Sequence, residues 1–235
     1  MNEKIPKIIH YCWFGKSVMP KIVLKRIKKW KRILKDYEFI EWNENNFPIS
    51  EANSFVKEAY QKRKWAFVSD YVRLYALSIY GGIYLDTDVV VLNSFDKFLD
   101  DKMFISYESE KSLCTAVIGA QSNNSLIKEF MKTYDGRKFL LENGNINNTP
   151  NSELIYKYIS SRYNNMLEFD VEKLFDNVHI YKFEYFCAKN IHNYKILRTE
   201  NTVSIHMLDA TWYPIYKKVL KFCKKIIMRF INFFR

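Results

Sequence analysis

Three kinds of segment are missing from this sequence, and each absence excludes a class of protein. No run of 18 uninterrupted apolar residues occurs, so we expect no transmembrane helix. Lys7 breaks the N-terminal apolar stretch and no small-residue cleavage site follows, so we expect no secretory signal peptide. No two cysteines form a CxxC pair, which argues against zinc-binding and redox motifs. We therefore expect Cys12, Cys114, Cys187 and Cys223 to be buried free thiols in a reducing cytosol.

Acidic residues are absent from two segments that hold much of the positive charge. The chain has 37 Lys and Arg against 26 Asp and Glu, a formal net charge of +11. Residues 16–35 hold nine of the basic residues and residues 214–235 hold seven. The remainder has 21 basic and 26 acidic residues, so it is mildly acidic. Because no aromatic residues interleave with the basic runs in a known nucleic-acid motif, we expect no nucleic-acid partner.

The rest of the composition predicts one folded domain with an appended segment. The 235 residues are 48% apolar and 17% aromatic, which is enough for a full hydrophobic core. No internal repeat or long linker interrupts the chain. Strands and helices alternate early in the sequence and mix later, which predicts an α/β sheet covered on both faces. The domain boundary is placed at residue 212, with a C-terminal helix over residues 213–235.

Apolar periodicity places the secondary structure. Strands are predicted at residues 5–13, 37–42, 83–85, 103–107, 115–120 and 202–206. Helices are predicted at residues 20–34, 51–62, 66–80, 126–134 and 152–162. Gly81 and Gly82 should end the third helix, since glycine tolerates the positive φ of a helix C-terminus.

The predicted C-terminal helix has two chemically different faces. At 100° per residue, most of its apolar and aromatic residues gather on one side and its lysines on the other. Such a helix can lie in an anionic membrane interface. The alternative is that its apolar face docks onto the domain. The first interpretation makes the protein cytoplasmic and peripheral on the inner face of the cell membrane.

Two carboxylates, Asp86 and Asp88, directly follow an apolar strand. In extended backbone, residues i and i+2 point the same way, and the carboxyl end of a central strand faces the ligand crevice. Paired carboxylates repel each other unless a cation lies between them and an anion, so a divalent ion bridging them to a diphosphate fits. Asp70 and Arg73 lie three residues apart and share one face of the preceding helix.

These residues also carry a resemblance to a known family. The string Ser-Asp-x-x-Arg at residues 69–73, then Gly-Gly-x-Tyr-Leu-Asp-x-Asp at residues 81–88, resembles the DXD sugar-binding region of glycosyltransferase family 32. It is similar to the catalytic domains of the large clostridial glucosylating toxins as well. Residues 5–15 resemble the family's opening strand, and residues 206–212 resemble a variant of its C-terminal His-His-x-x-x-Ser-Trp. The resemblance covers residues 5–212 in the family's order.

The resemblance implies a GT-A fold with a Rossmann-like nucleotide-binding sheet over residues 1–212. It implies a retaining transferase that needs Mn²⁺ or Mg²⁺ and moves a hexose from a nucleotide sugar, with UDP favoured as the nucleotide. The acceptor would be a glycan or lipid-linked oligosaccharide in bacterial surface or capsular polysaccharide synthesis.

The resemblance also implies roles for the residues that hold the donor. Trp13 would stack on the donor's base, with a role as a core aromatic as the alternative. Asp70 and Arg73 would contact the donor sugar, and Tyr84 would line the donor pocket. Together with Asp86, which would contact ribose or sugar hydroxyls, they form the expected donor site.

The metal and leaving-group contacts follow from the same motifs. Asp88 would ligate the metal directly and Asp86 would approach it. His206 is the expected third ligand, but Met207 replaces the family's second histidine, so Asp209 is the alternative ligand. Two residues would donate hydrogen bonds to the β-phosphate: Thr211 and Trp212. The catalytic set is therefore expected to be Asp70, Arg73, Asp86 and Asp88.

Two other functions fit parts of the sequence. The segment from Asp86 to Val90 also fits the nucleophile loop of haloacid-dehalogenase-type phosphatases, in which the first aspartate attacks phosphorus. In that class the motif normally lies near the start of the chain. The other possibility is a non-enzymatic, basic membrane-binding module.

Overall fold

The computed structural model describes residues 3–209 of the 235-residue chain. The expected phosphate donors Thr211 and Trp212 lie outside the described residues, as does the predicted C-terminal helix at residues 213–235. Within residues 3–209, no helix is both long enough and apolar enough to cross a membrane.

The described chain contains ten strands and six helices, with two additional short 3-10 turns. The strands are β1 (Ile8–Cys12), β2 (Glu38–Trp42), β3 (Gly82–Leu85), β4 (Val89–Val91), β5 (Met103–Ser109), β6 (Ser112–Leu113), β7 (Val117–Ala120), β8 (Lys173–Leu174), β9 (His179–Tyr181) and β10 (Ser204–His206). The helices are α1 (Lys21–Ile33), α2 (Ser54–Gln61), α3 (Trp65–Tyr80), α4 (Ser125–Lys132), α5 (Asn151–Arg162) and α6 (Phe183–Phe186).

A mixed central sheet organises the fold. Its strand order is β2-β1-β3-β7-β5-β9-β8, with β6 paired to β5. Strand β1 runs parallel to both β2 and β3, whereas β7 is antiparallel to both β3 and β5. After β2 the chain crosses to the other side of β1 to form β3. The carboxyl ends of β1 and β3 therefore flank a point where the strand order reverses, and open α/β sheets bind ligands at such points.

A second, two-stranded sheet stands apart from the central one. It pairs β4 with β10 in antiparallel register, with Val89 opposite His206. These residues lie 117 positions apart in the sequence. The pairing therefore brings the end of the described chain back beside Asp88, which immediately precedes β4.

Helix α3 packs on the central sheet next to the cavity. Its buried residues include Val68, Val72 and Leu74, and it packs against β1 and β3. Gly81 ends the helix at φ +63°, and a Cβ there would lie 2.5 Å from the backbone nitrogen of Ser122. The predicted glycine stop is confirmed, and it allows β3 to start one residue later.

Helix α1 is amphipathic and packs against β4. Its buried residues are Val23, Ile27 and Trp30. The Trp30 indole is completely buried and its Nε1–H donates to the Val89 carbonyl over 3.0 Å. Most of the basic residues of segment 16–35 therefore lie on the outer side of α1, and its inner side packs against β4.

The predicted elements match the structure in most places. The five helices predicted within the described residues are all present, and the strands at 37–42, 83–85 and 103–107 reappear with small shifts. The strands β4, β6, β8 and β9 and the short helix α6 were not predicted. Each has at most four residues, so none is long enough to show a periodic pattern.

Candidate active site

A cavity of about 1040 Å³ opens at the carboxyl ends of β1 and β3. Strand β1 contributes Trp13 just beyond its end, and β3 contributes Tyr84 and Asp86. Helix α3 contributes Asp70 and Arg73 to the same wall. The structure thus gathers five of the sequence-predicted site residues around one space, at the point where the topology predicts ligand binding.

The Arg73 guanidinium contacts several of the residues in this cavity wall. It is buried and lies 3.1 Å from the Asp70 carboxylate and 3.2 Å from that of Asp86, and its Nη1 donates to the Thr115 carbonyl over 2.9 Å. Its Cζ lies 4.7 Å from the centre of the Tyr84 ring. Burial opposes the charge, but the two carboxylates outweigh it and raise the pKa of Arg73 further. Arg73 therefore remains a fixed cation between two anions.

Asp86 is held by two donors at a single oxygen. Its Oδ1 accepts from Arg73 Nη2 and from the Tyr84 hydroxyl, which lies 2.8 Å away. Its backbone N–H donates to the Ala116 carbonyl of the loop before β7. These contacts fix the carboxylate before any ligand arrives, which is the preorganisation that a binding site requires.

The backbone between the two DXD carboxylates departs from the sequence prediction. The extended geometry expected for Asp86 and Asp88 is wrong, because the chain turns there: the Val89 N–H donates back to the Asp86 carbonyl over 2.9 Å. The turn separates β3 of the central sheet from β4 of the small one. The two carboxylates nevertheless lie on the same side. The turn brings them together, rather than the side-chain alternation of an extended strand.

Asp88 lies against residues from the far end of the described chain. Its Oδ1 is 3.3 Å from His206 Nε2, and its Oδ2 accepts the backbone N–H of Asp209 over 2.9 Å. Burial alone would disfavour the charged carboxylate, but His206 and the Asp209 N–H reverse this and lower the pKa of Asp88 to about 2. Asp88 is therefore an anion at neutral pH.

The expected third ligands behave differently. Ligand atoms of Asp86, Asp88 and His206 all lie within 4.8 Å of one another, as atoms around one cation would. The Asp209 carboxylate instead pairs with Arg26 of α1 at 2.7 Å, and only its backbone contacts Asp88. The geometry thus favours His206 over Asp209 as the third side-chain ligand, a choice that the sequence left open.

Burial sets the protonation of Asp70. It raises the pKa of the Asp70 carboxyl to about 6, although Arg73 opposes that rise. The Asp70 carbonyl accepts a 3.0 Å hydrogen bond from Asn151 Nδ2, which ties α3 to the first residue of α5. The carboxyl group is therefore mostly ionised at pH 7 and becomes protonated in mild acid.

Trp13 lines the cavity without a partner ring among its described contacts. It is half-buried, and its Nε1–H donates to the Ser17 carbonyl over 2.7 Å. That hydrogen bond orients the indole beside the cavity, where stacking on a base stays a prediction.

Sequence reasoning missed three residues of this region. Glu108 lies one residue before the end of β5, with its Oε1 3.4 Å from His206 Nδ1, and Thr115 and Asn151 line the cavity. The only local signal was that Glu108 is an acid just past the predicted strand at 103–107. Asn151 is the first residue of α5, one position before the helix predicted at 152–162, and its sequence context gave no indication of a site.

Comparison with known proteins agrees with the motif. Residues 20–105 match the family model described as a glycosyltransferase sugar-binding region containing a DXD motif. An uncharacterized glycosyltransferase, L373, of Acanthamoeba polyphaga mimivirus is 27% identical over 197 residues, covering 79% of this chain and 76% of that protein. The chain is a glycosyltransferase. The matched segment runs from the residue before α1 into β5, and so contains Asp70, Arg73, Asp86 and Asp88.

Two further similarities bear on the fold and on the limits of the match. The structure resembles the PaToxG glycosyltransferase with a TM-score of 0.51 and 16% identity, over 68% of this chain and 70% of that one. This agrees with the GT-A fold expected from the sequence. The glycosyltransferase is also 25% identical over 159 residues to the subversion of eukaryotic traffic protein A of Legionella pneumophila. That match covers 54% of this chain but spans only 24% of the Legionella protein.

These matches decide between the enzyme classes that the sequence left open. They favour a glycosyltransferase over both alternatives, a phosphatase with its nucleophile at Asp86 and a non-enzymatic membrane-binding module. Membership in family 32 in particular stays a prediction.

Proposed function

We propose that this glycosyltransferase is a metal-dependent, retaining hexosyltransferase of family 32 that uses a nucleotide-sugar donor, most simply a UDP-sugar. The observation that carries the proposal is the convergence of Asp86, Asp88 and His206 within 4.8 Å, beside a cavity of about 1040 Å³ at the strand-order reversal. The acceptor is a glycan or lipid-linked oligosaccharide hydroxyl in bacterial surface or capsular polysaccharide synthesis, as the resemblance of residues 5–212 implies.

The residues present fit a hard divalent cation. Carboxylate oxygens with one imidazole nitrogen form a donor set suited to Mn²⁺ or Mg²⁺. Asp88 and His206 would hold the ion with Asp86 beside them, and the bound ion would neutralise charge on the diphosphate. The low pKa of Asp88 keeps its carboxylate ionised, whereas Asp88 raises the pKa of His206, so His206 would release a proton on ligating the ion.

The cavity wall suits a sugar next to this cation. Asp70 offers carboxylate oxygens to sugar hydroxyls, and Arg73 places a permanent positive charge behind them. Asn151 adds a side-chain oxygen that is buried and has no hydrogen-bond partner within the described residues, so a sugar hydroxyl would supply the missing donor. Trp13 and Tyr84 add the aromatic surface that a base and a sugar ring pack against.

The reaction can be written from the groups that line the cavity. The acceptor oxygen bonds to the donor's anomeric carbon as the carbon–oxygen bond to the diphosphate breaks on the same face. The acceptor's proton passes to the departing phosphate oxygen. The alternative, double displacement, needs an enzyme carboxylate as nucleophile, and Asp70 is the candidate that the sequence offers. We favour the same-face route because Asp70 is already paired with Arg73 at 3.1 Å.

Replacing Asp88 tests the proposal. Asp88→Asn keeps the side-chain volume but removes the charge that faces His206. We expect Mn²⁺-dependent hydrolysis or transfer, screened across a panel of nucleotide sugars, to fall at least about 100-fold.

A product with inverted anomeric configuration by NMR would contradict the retaining mechanism.

The matched control is Asp100→Asn, an exposed aspartate whose carboxylate pairs with Lys4. It should leave both turnover and Mn²⁺ dependence unchanged. Near-normal turnover in Asp88→Asn, with circular dichroism showing a folded protein, would overturn the assignment of the site.

We further propose that the protein works on an anionic membrane surface, with the predicted helix at residues 213–235 as the anchor. The ion pair between Arg26 and Asp209 supports this, because it holds the chain next to α1 just before the basic C-terminal segment starts. On α1, Ile22 and Leu24 are about half exposed among lysines, and Val18 just before it is 91% exposed. Basic side chains around exposed apolar ones are the chemistry that an anionic interface binds.

A further inference from the structure

Two buried thiols lie on the far side of His206 from the DXD pair. Cys114, in the loop after β6, and Cys187, directly after α6, both have no exposed surface. Their sulfurs are 3.0 Å apart although the residues are 73 positions apart in the chain. The sequence expectation of buried free thiols is confirmed for the described cysteines.

Glu108 and His206 complete a cluster around this pair. One ligand atom from each of Glu108, Cys114, Cys187 and His206 lies within 4.8 Å of all the others. His206 Nδ1 is 3.4 Å from Glu108 Oε1, and this buried nitrogen has no hydrogen-bond partner within the described residues. Potential ligand atoms from four separate parts of the chain therefore converge, and one of them, His206 Nδ1, lacks a hydrogen-bond partner.

The chemistry of the four donors identifies a ligand class. Two thiols, an imidazole and a carboxylate are the donors that Zn²⁺ takes in tetrahedral protein sites. At metal–ligand distances of about 2.0–2.3 Å, neighbouring tetrahedral ligands lie roughly 3.3–3.8 Å apart. The Nδ1–Oε1 distance of 3.4 Å is of that size, and the sulfurs would need to separate by less than 1 Å.

We propose that Glu108, Cys114, Cys187 and His206 form a second metal site, specific for a soft divalent cation such as Zn²⁺ and distinct from the DXD site. A disulfide between the cysteines would account for two of these residues, whereas a cation accounts for all four and for the unpartnered nitrogen. Binding releases the two thiol protons to solvent, so the site gains two thiolates.

The two metal sites would use opposite nitrogens of one imidazole. His206 Nε2 faces Asp88 at 3.3 Å, and Nδ1 faces the thiol cluster. A cation on Nδ1 of the neutral ring leaves the proton on Nε2, where it donates to Asp88. Loss of that second ring proton to solvent, which gives an imidazolate, lets Nε2 ligate the DXD cation while Nδ1 holds the other one.

Cobalt substitution tests the site without reference to catalysis. The reduced full-length protein, freed of metal and given one equivalent of Co²⁺, should show thiolate-to-cobalt charge-transfer absorption and the intense visible bands of tetrahedral Co²⁺. One equivalent of Zn²⁺ should bleach these bands, whereas excess Mn²⁺, which prefers oxygen ligands, should leave them. Absence of the charge-transfer bands in the wild-type protein overturns the proposal.

Variants locate the bands and separate the site from the other thiols. Cys114→Ser and Cys187→Ser should each abolish or strongly weaken the bands, and the matched control Cys223→Ser should keep them. Unchanged bands in both of the first two variants would overturn the assignment.

Oxidation state provides the independent check. Thiols titrated in denaturant, before and after reduction, should number four in both cases for protein purified with its metal. Two fewer thiols before reduction would show a disulfide in place of the cation and overturn the proposal. This result would leave the nucleotide-sugar reaction untouched, so the two proposals fail separately.

Discussion

At the scale of single residues, the positions of charge and protons are set by a few buried contacts. His10 illustrates this away from the active site. It is completely buried in β1, its Nε2–H donates to the Gly81 carbonyl over 2.8 Å, and its Nδ1 accepts the Trp42 indole N–H over 3.1 Å. Both nitrogens are occupied only when the ring is neutral, so the tautomer is fixed by its neighbours.

This arrangement predicts a specific acid sensitivity. Burial lowers the pKa of His10 to about 4, although the Gly81 carbonyl opposes that shift. Between pH 6.5 and 4 the unfolded chain therefore binds a proton that the folded chain refuses, and stability falls as the pH falls. We expect His10 to account for a loss of about 3 kcal/mol in the free energy of unfolding across this window.

Comparison with His10→Gln isolates the effect. Urea unfolding of both proteins at pH 7 and pH 4 should show a larger loss for the wild type, because glutamine does not titrate. Other groups titrate in the same window but contribute equally to both proteins. Equal losses in the two proteins would contradict the assignment of a neutral, proton-excluding His10.

Residue-level function was predicted from the sequence only where the residues are close together in the chain. Asp70, Arg73, Asp86 and Asp88 lie within 19 positions, so their order and spacing were visible. Glu108, Cys114 and Cys187 approach His206 only through tertiary structure, and no spacing in the sequence connects them. The four cysteines could be described one at a time, but no pair of them could be identified.

At the scale of elements, α1 determines where β4 lies. The Trp30 side chain is completely buried, its ring meets that of Tyr11 edge-on at 5.9 Å, and its N–H satisfies the Val89 carbonyl. Val89 directly follows Asp88 and is paired with His206 across the small sheet. The helix is therefore a support for the turn that presents Asp88.

Removing this one hydrogen bond should weaken the support. We expect Trp30→Phe to lower the free energy of unfolding by about 2–4 kcal/mol, since it leaves the Val89 carbonyl buried without a donor and leaves part of the indole volume empty. Urea denaturation followed by circular dichroism measures this loss.

The matched control for this experiment is Tyr158→Phe. That hydroxyl donates to Glu129 near the surface, and its loss should cost less than about 1 kcal/mol. A Trp30→Phe protein as stable as the control would show that the bond to β4 does not contribute as described.

The elements themselves were mostly predictable, and the turns between them were not. Long helices such as α3 show their apolar periodicity directly, and Gly81 marks its end. The strands β4 and β10 have three residues each and gain their partners only from each other. The turn at Asp86–Val89 replaced a predicted extended segment because β4 leaves the central sheet to join β10, a non-local pairing that no local propensity encodes.

At the scale of the whole molecule, the net charge of +11 comes from two basic segments, of which the structure describes the one at residues 16–35. The 16–35 segment becomes the loop before α1 and α1 itself, and Arg26 holds Asp209 beside it. The exposed basic residues of this surface are Lys16, Lys21, Lys25, Lys28, Lys31, Arg32 and Lys35. We call these residues, with Val18, Ile22 and Leu24, the α1 surface.

Charge reversal on the α1 surface tests the membrane proposal. We expect Lys25→Glu with Lys28→Glu to weaken sedimentation with vesicles containing anionic phosphatidylserine by at least about 30-fold, from roughly 1 kcal/mol for each basic residue lost. Binding should also weaken at high salt, since the Debye length shortens.

The matched control carries the same change of net charge elsewhere. Lys128 and Lys132 are exposed on α4, and their replacement by glutamate should leave vesicle binding nearly unchanged. Equal weakening by both double variants would indicate a general charge effect and contradict a specific surface. Binding of RNA as strong as that of vesicles would contradict the choice of partner.

The two inner contacts of α1 have a consequence for how far an acceptor must reach. Trp30 touches the backbone just after Asp88, and Arg26 binds the residue whose N–H contacts the Asp88 carboxylate. The outer side of the same helix is the α1 surface. If the α1 surface rests on a membrane, as proposed, a lipid-linked acceptor would begin about one helix diameter, ~10 Å, from the DXD turn. The membrane proposal therefore places the reaction close to the lipid surface and favours acceptors with short glycan chains.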